Sequence, residues 1–267
     1  SGLFYDDLPP FVRLASLGYP VTKGLGVALH TYQAFHGLPV TGELDQETKR
    51  HLELPRFCGL PDIMPEQLSE NLCKWKNQNP STGETVVTWS IVALLPQFTK
   101  ESLKHVYESA WASWERVCGI KAVYTDDASK AMVQMGSRSM EGPGGVLAES
   151  ELPCGNVRVC RQWYDTSEYW VFSANPLQNE IDLGRVASHE IGHALGISHG
   201  PAGNLMAAMY SRSISKPQLW DAQESQLRYG PRLPTPPLPP VPGGEILIRI
   251  RGQVIEIPGY TVTKNTP

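Results

Sequence analysis

Hydrophobic positions change period along this chain, and the changes divide it. Leu25, Leu29, Tyr32 and Phe35 recur at helical spacing and Gly37 follows them, which predicts a helix closed by glycine. Leu44, Thr48, His51 and Leu52 mark a second helical face, and Pro55 ends it. Residues 8–54 therefore read as short helices, and a core of about 50 residues is marginal alone and needs a surface to dock on. Thr85–Val92 is β-branched and aromatic, a strand. From Thr99 to Cys118 the apolar positions Leu103, Val106, Tyr107, Ala110, Trp111, Trp114 and Val117 return to helical spacing. Shorter strands are predicted near 120–125, 131–137, 145–150 and 157–164, and helices near 182–195 and 216–229. One helix amid strands, followed by two late helices, suggests an α+β class.

Seven of the twelve residues from Pro231 to Pro242 are proline, a stiff and extended linker rather than a packed element. Beyond it Ile246, Ile248 and Ile250 alternate with Leu247, Arg249 and Arg251, and Gly252-Gln253 precedes Val254–Ile257, which reads as a β-hairpin. The 267 residues suggest one or two domains, and 41% AVILMFWYC is ordinary for a globular chain. Lys+Arg 23 against Asp+Glu 27 gives a net charge of −4, which disfavours a nucleic-acid partner held by bulk positive charge. Apolar runs such as Ile91–Leu95 are far short of the ~20 residues that cross a bilayer, so no transmembrane segment is expected. Ser1–Asp7 has neither the basic start nor the apolar stretch of a signal peptide.

The chemistry is concentrated in His189-Glu190-Ile191-Gly192-His193-Ala194-Leu195-Gly196-Ile197-Ser198-His199. On a helix that advances about 100° per residue, His189 and His193 lie only ~40° apart and can grip one ion. Glu190 sits on the rim, where its carboxylate reaches a water on that ion rather than the ion itself. A continued helix would aim His199 away; Gly196 can take positive φ and turn the chain back. Three imidazoles plus one open position is the catalytic, not the structural, zinc pattern. Zinc lowers the pKa of bound water to roughly 7. Glu190 would take the water proton as general base and return it to a leaving amine. The reaction class is peptide hydrolysis without a covalent intermediate.

The histidine motif resembles that of the metzincins, and Asn204–Tyr210 resembles their Met-turn and the pocket wall behind it. Met206 takes the Met-turn position, with Met209 as its rival. Pro55-Arg56-Phe57-Cys58-Gly59-Leu60-Pro61-Asp62 resembles the cysteine switch of matrix metalloproteinase propeptides, and Tyr32–Gly42 resembles their peptidoglycan-binding-like prodomain. The resemblance implies an α+β, metzincin-like catalytic domain, a twisted and mostly parallel sheet with three helices, preceded by a small all-α prodomain. It divides the chain into a helical propeptide at 1–70, a zinc metalloprotease domain at 71–231 and a Pro-rich linker with a hairpin tail at 232–267.

In that reading Cys58 fills the open zinc position of the latent form, since a thiolate is a good zinc ligand. Phe57 is an extra residue between Arg56 and Cys58, so no anchoring role is carried over to Arg56. Five cysteines leave one free thiol, as the switch needs. The other four, Cys73, Cys118, Cys154 and Cys160, allow three pairings, of which Cys154–Cys160 with Cys73–Cys118 is favoured; two disulfides imply an oxidising, secreted setting. Glu141, Asp165 and Glu168 resemble the family's calcium ligands. Glu149 and Trp163 stand where the family's structural-zinc histidines would be, so one zinc is expected. An extended substrate should pair with the edge at Leu147 and Ala148 and send a hydrophobic side chain into a pocket near Arg185, Met206 and Tyr210. The resemblance implies extracellular or matrix proteins as substrates and a separate activating protease. The competing reading is a silent binding protein with a peptidoglycan-binding-like N-terminal module, which an intact Glu190 and a retained Cys58 argue against.

Overall fold

A computed structural model of the chain describes residues 9–64, 73–140 and 142–232. Glu141 and the expected hairpin beyond the proline stretch lie outside the described residues. Three helices come first: α1 (Pro10–Ser16), α2 (Leu25–His36) and α3 (Gln46–Leu52). Gly37 closes α2 in the left-handed conformation, φ 70°, and Asp45 caps α3 by accepting the Thr48 amide. Their common core is Leu14, Leu17, Tyr19, Ala28, Leu29, Tyr32 and Leu52, and Met209, from far along the chain, packs against it. That is the docking surface so small a core needs.

The main sheet is built from β1 (Arg56–Cys58), β2 (Thr85–Ile91), β3 (Ile120–Tyr124), β4 (Val133–Arg138), β5 (Val146–Ser150) and β6 (Cys160–Asp165), in the order β1-β5-β6-β4-β2-β3. Only β5 and β6 pair antiparallel; β1 runs parallel to β5, with Arg56 beside Val146 and Cys58 beside Ala148. A second, two-stranded sheet joins β7 (Trp170–Val171) to β8 (Ile181–Asp182). Strands β1, β7 and β8 were not legible as strands: two or three residues carry no periodicity.

Three further helices complete the fold. Helix α4 (Lys100–Glu115) is capped by Thr99 and buries Leu103, Val106, Tyr107, Ala110, Trp111 and Trp114, the face its periodicity predicts. Helix α5 (Leu183–Ala194) buries eleven of its twelve residues. It is tied to α4 by the Trp114 indole, which donates to the Ser188 carbonyl at 2.8 Å. Helix α6 (Leu219–Tyr229) closes the core. Asp221 in its first turn accepts the amides of Leu205 and Met206 at 2.8 and 3.0 Å, fixing the loop behind α5.

The disulfide expectation is corrected. Cys73 is bonded to Cys154, with Cα atoms 4.3 Å apart, while Cys118 and Cys160 are free and buried. Cys154 and Cys160 are close in sequence, but Cys160 opens β6 with its side chain in the core. Cys118 follows α4, its thiol against the Trp114 carbonyl at 3.5 Å. The bonded pair instead joins the segment before β2 to the turn before β6. No helix among the described residues is long and apolar enough to cross a membrane.

Candidate active site and metal centre

Helix α5 carries His189, Glu190 and His193, and its end decides where His199 goes. Gly196 adopts φ +87°, and a Cβ there would lie 1.9 Å from the Cys73 carbonyl oxygen, so any other residue would meet both backbone strain and a wall. The Gly196 amide bonds back to His193 O at 2.7 Å and the Ile197 amide to Gly192 O at 3.0 Å. The chain reverses and brings His199 to the other two imidazoles, as the sequence predicts. Cys58 arrives from β1. The Cys58 Sγ lies 3.2 Å from both His193 Nε2 and His199 Nε2, and the His189 and His193 Nε2 atoms are 3.0 Å apart. Among the described residues these four buried side chains form the group whose ligand atoms all fall within 4.8 Å of one another.

This donor set fits zinc. Bonds of about 2.0–2.3 Å in a tetrahedron give edges of roughly 3.3–3.5 Å, close to the separations found. The Nδ1 atoms of His189 and His193 lie 2.8 and 2.7 Å from the carbonyls of Leu205 and Ile197, so their Nε2 atoms face the shared focus. Burial, then the neighbouring imidazoles, holds both rings well below the usual histidine range, in the neutral form that coordination requires. Burial, then Glu190, pushes the Cys58 thiol well up in the protein alone; a coordinated thiol is deprotonated outright. Both carboxylate oxygens of Glu190 are buried without a hydrogen-bond partner among the described residues. Burial, then Glu149, raises the affinity of that carboxylate for a proton. An orphaned, proton-hungry carboxylate beside a metal focus is suited to take a proton from water.

The Pro55–Asp62 segment is anchored through a buried ion pair. Despite the extra Phe57, the Arg56 guanidinium reaches Asp62 at 2.5 Å, and both side chains are buried. The Asp62 carboxylate also meets the Tyr19 hydroxyl at 2.8 Å, His36 Nε2 at 3.1 Å and His199 Nδ1 at 3.1 Å. Strand alternation accommodates Phe57: Arg56 and Gly59 donate to Gly145 and Ala148 on one side, while Phe57 donates to the Ala208 carbonyl on the other. Sequence reasoning missed the part played by Asp62, Tyr19 and His36, although Asp62 stands inside the switch motif itself.

The remaining candidates divide. Leu147 and Ala148 are buried in β5 at the edge that β1 occupies. Met206 is fully buried beneath α5, where its sulfur would lie 2.2 Å from a Cβ on Gly192; Met209 instead packs on the N-terminal helices. The Tyr210 hydroxyl accepts the Asp182 amide at 3.0 Å. Arg185 is paired with Asp182 at 2.9 Å and donates to the carbonyls of Ala174 and Arg212. Asp165 accepts the amides of Met140, Gly142 and Ser167, and Glu168 that of Gly144, around one loop. Glu149 and Trp163 face each other across β5 and β6, and Arg138 pairs with the first and lies 5.4 Å over the ring of the second.

A mostly parallel sheet, a buried helix presenting two histidines and a carboxylate, and a third histidine returned by a glycine turn define a metallopeptidase of the metzincin type. Residues 74–228 match the family model described as Matrixin. The chain is similar to the interstitial collagenase of Sus scrofa, 29% identical over 240 residues that cover 84% of this chain and 48% of that protein. It is also similar to the interstitial collagenase of Bos taurus, 30% identical over 222 residues, 79% of this chain and 45% of that protein. The chain thus spans about half the length of these relatives. It belongs to the matrixin family, the matrix metalloproteinases.

Proposed function

We propose that this chain is a latent zinc endopeptidase, with His189, His193 and His199 holding the zinc, Glu190 as general base and Cys58 as the removable fourth ligand. The observation that carries the reading is the four-atom focus beside an unpartnered Glu190. Zinc bound there supplies Lewis-acid polarisation of a carbonyl and acidifies water. Glu190 accepts the proton of the attacking water and delivers it to the departing amine. Met206 supports α5 from below, and the β5 edge at Leu147 and Ala148 pairs with an extended substrate, which Tyr210 and Arg185 border.

The switch reading is supported by the path of residues 55–59, which fill that edge and put sulfur where a substrate carbonyl would go. Residues 1–70 act as the propeptide, 71–231 as the catalytic domain and 232–267 as linker and tail. A separate protease cuts between the first two, and extracellular or matrix proteins are the substrates, in line with the name collagenase carried by the relatives and with the Cys73–Cys154 bond. Calcium at Glu141, Asp165 and Glu168 belongs to the same reading, supported by the two buried carboxylates on one loop. The test compares the full chain before and after limited proteolysis, with metal analysis. One zinc per chain is expected throughout, with gelatin cleavage only after trimming, and Glu190→Gln should lower kcat by roughly 10²–10⁴-fold while keeping the zinc. Undiminished cleavage by Glu190→Gln would overturn the assignment.

A further inference from the structure

Helix α5 ends at the turn that sends the chain back to His199, and the carbonyls of that turn are met in two ways. Those of Ile191, Gly192 and His193 accept the amides of Leu195, Ile197 and Gly196, from within the turn. The next three accept side chains from elsewhere in the chain. Ala194 O accepts the Trp75 indole at 2.8 Å, Leu195 O the Tyr229 hydroxyl at 2.9 Å and Gly196 O the Arg228 Nε at 2.9 Å. Ile197 O, one residue on, lies 2.7 Å from His193 Nδ1. The turn therefore both carries His199 and orients His193, and three outside side chains hold it in place.

Two of these supports depend on residues 73–75. The Tyr229 hydroxyl that donates to Leu195 O accepts the Trp75 amide at 3.2 Å. A Cβ on Gly196 would lie 1.9 Å from Cys73 O, so residue 73 is seated directly against the glycine of the turn. Cys73 and Trp75 are each only 6% exposed. In the latent-protease reading the chain is cut near residue 70, which leaves both within about five residues of a new end, and chain ends fray unless they are tied down. Here the tie is the bond from Cys73 to Cys154, in the connection between β5 and β6.

We propose that the Cys73–Cys154 disulfide positions the metal centre of the opened enzyme, by keeping Cys73 and Trp75 under the turn that delivers His199 once the propeptide has gone. Trp75, Tyr229 and Arg228 act through the turn and are positioning residues. The inference rests on the protease reading for the cut. Before the cut the same segment continues back to the Pro55–Asp62 stretch, which its own ion pair anchors, and Cys58 adds a fourth ligand, so the disulfide matters less there. Each of the two hydrogen bonds that Trp75 supplies is worth roughly two- to tenfold. Loss of both should loosen the zinc on the order of tenfold.

The test follows zinc. The full chain, uncut and after limited proteolysis, is loaded with zinc, and loss of the ion to a chromogenic chelator is timed well below the melting temperature. In the opened form Cys73→Ser/Cys154→Ser should release zinc on the order of tenfold faster than the parent. Trp75→Phe keeps the disulfide and removes only the indole N–H, and should release it roughly two- to tenfold faster. In the uncut form the double variant should stay within about threefold of the parent. Parent-like release by either opened variant overturns the proposal. Equal acceleration of the double variant in the uncut and opened forms also overturns it, because that marks a general loss of stability rather than support of a chain end. Should the double variant not fold, a phosphine opens the bond in the folded, opened parent: the phosphine and one water leave as phosphine oxide, and the two sulfurs become thiols. Unchanged zinc release after that reduction overturns the proposal equally. An opened parent that holds zinc but cleaves no peptide overturns the protease reading and leaves the zinc comparison to decide this one; a parent that holds no zinc overturns both.

Discussion

In the proposed latent form the lock depends on a buried carboxylate, and Asp62→Asn tests how much. Asp62 and Arg56 are 0% and 2% exposed in their side chains and meet at 2.5 Å. Burial alone would raise the Asp62 pKa, but the Arg56 guanidinium, with His199 and His36, outweighs it and holds the carboxyl well below the usual range. Asparagine keeps the shape and removes the charge, so a buried guanidinium faces a neutral amide. Breaking a buried ion pair from one side costs about 3–5 kcal/mol. Asp62 fixes the turn that follows Cys58 and ties it to Tyr19, His36 and His199, so in the proposed latency this cost falls on the closed form. At 1.36 kcal/mol per tenfold, the open population rises by roughly a hundredfold to a few thousandfold. The assay is the rate of Cys58 alkylation in the uncut chain, with peptide cleavage by the same sample as a second readout. The double variant Arg56→Met/Asp62→Leu should recover part of the loss, because it leaves no uncompensated charge. Alkylation of Asp62→Asn within threefold of the parent, at unchanged melting temperature, would refute the reasoning.

Two further outcomes follow from the same geometry. The Cys73–Cys154 bond closes a sequence separation of 81 residues, and its removal in Cys154→Ser should cost about 2–5 kcal/mol and lower Tm by roughly 5–15 °C; calorimetry showing no shift counts against it. His51, which meets the Tyr32 hydroxyl at 2.7 Å, has its pKa lowered to about 4 by burial and then by His36. The unfolded chain, with a histidine near 6.5, takes the proton first. Stability of the N-terminal helices is therefore full above pH 6.5 and declines as pH falls toward 4, by ~1–2 kcal/mol after allowance for partial solvent exposure. Amide exchange in α2 and α3 at pH 7 and pH 5 checks this, since His51→Asn should lose that pH dependence; equal dependence in both proteins refutes it.

How legible the molecule was depended on how local each cause is. Helix α4 could be read from its apolar face, and strand β2 from its β-branched run, because such patterns act within a few residues. The convergence of His189, His193 and His199 was legible for the same reason, since one helical turn and one glycine fix it. Strand β1 was not, because Arg56–Cys58 becomes a strand only through the edges of β5 and the Ala208–Tyr210 wall. The disulfide was misread because proximity in sequence says little about proximity across a sheet.

The amino-acid order alone determined which residues can hold a metal ion, which carboxylate stands beside it and which cysteine could compete for the fourth corner. Those properties depend on side-chain chemistry at short, rigid spacings. Only the folded chain decided that Arg56 reaches Asp62 past an inserted residue, that Cys73 joins Cys154, that Met206 rather than Met209 lies under the helix, and that Phe57 stacks on His189. Each of these pairs residues that the backbone brings together through sheet register and core packing, and neither is written in any single stretch of sequence.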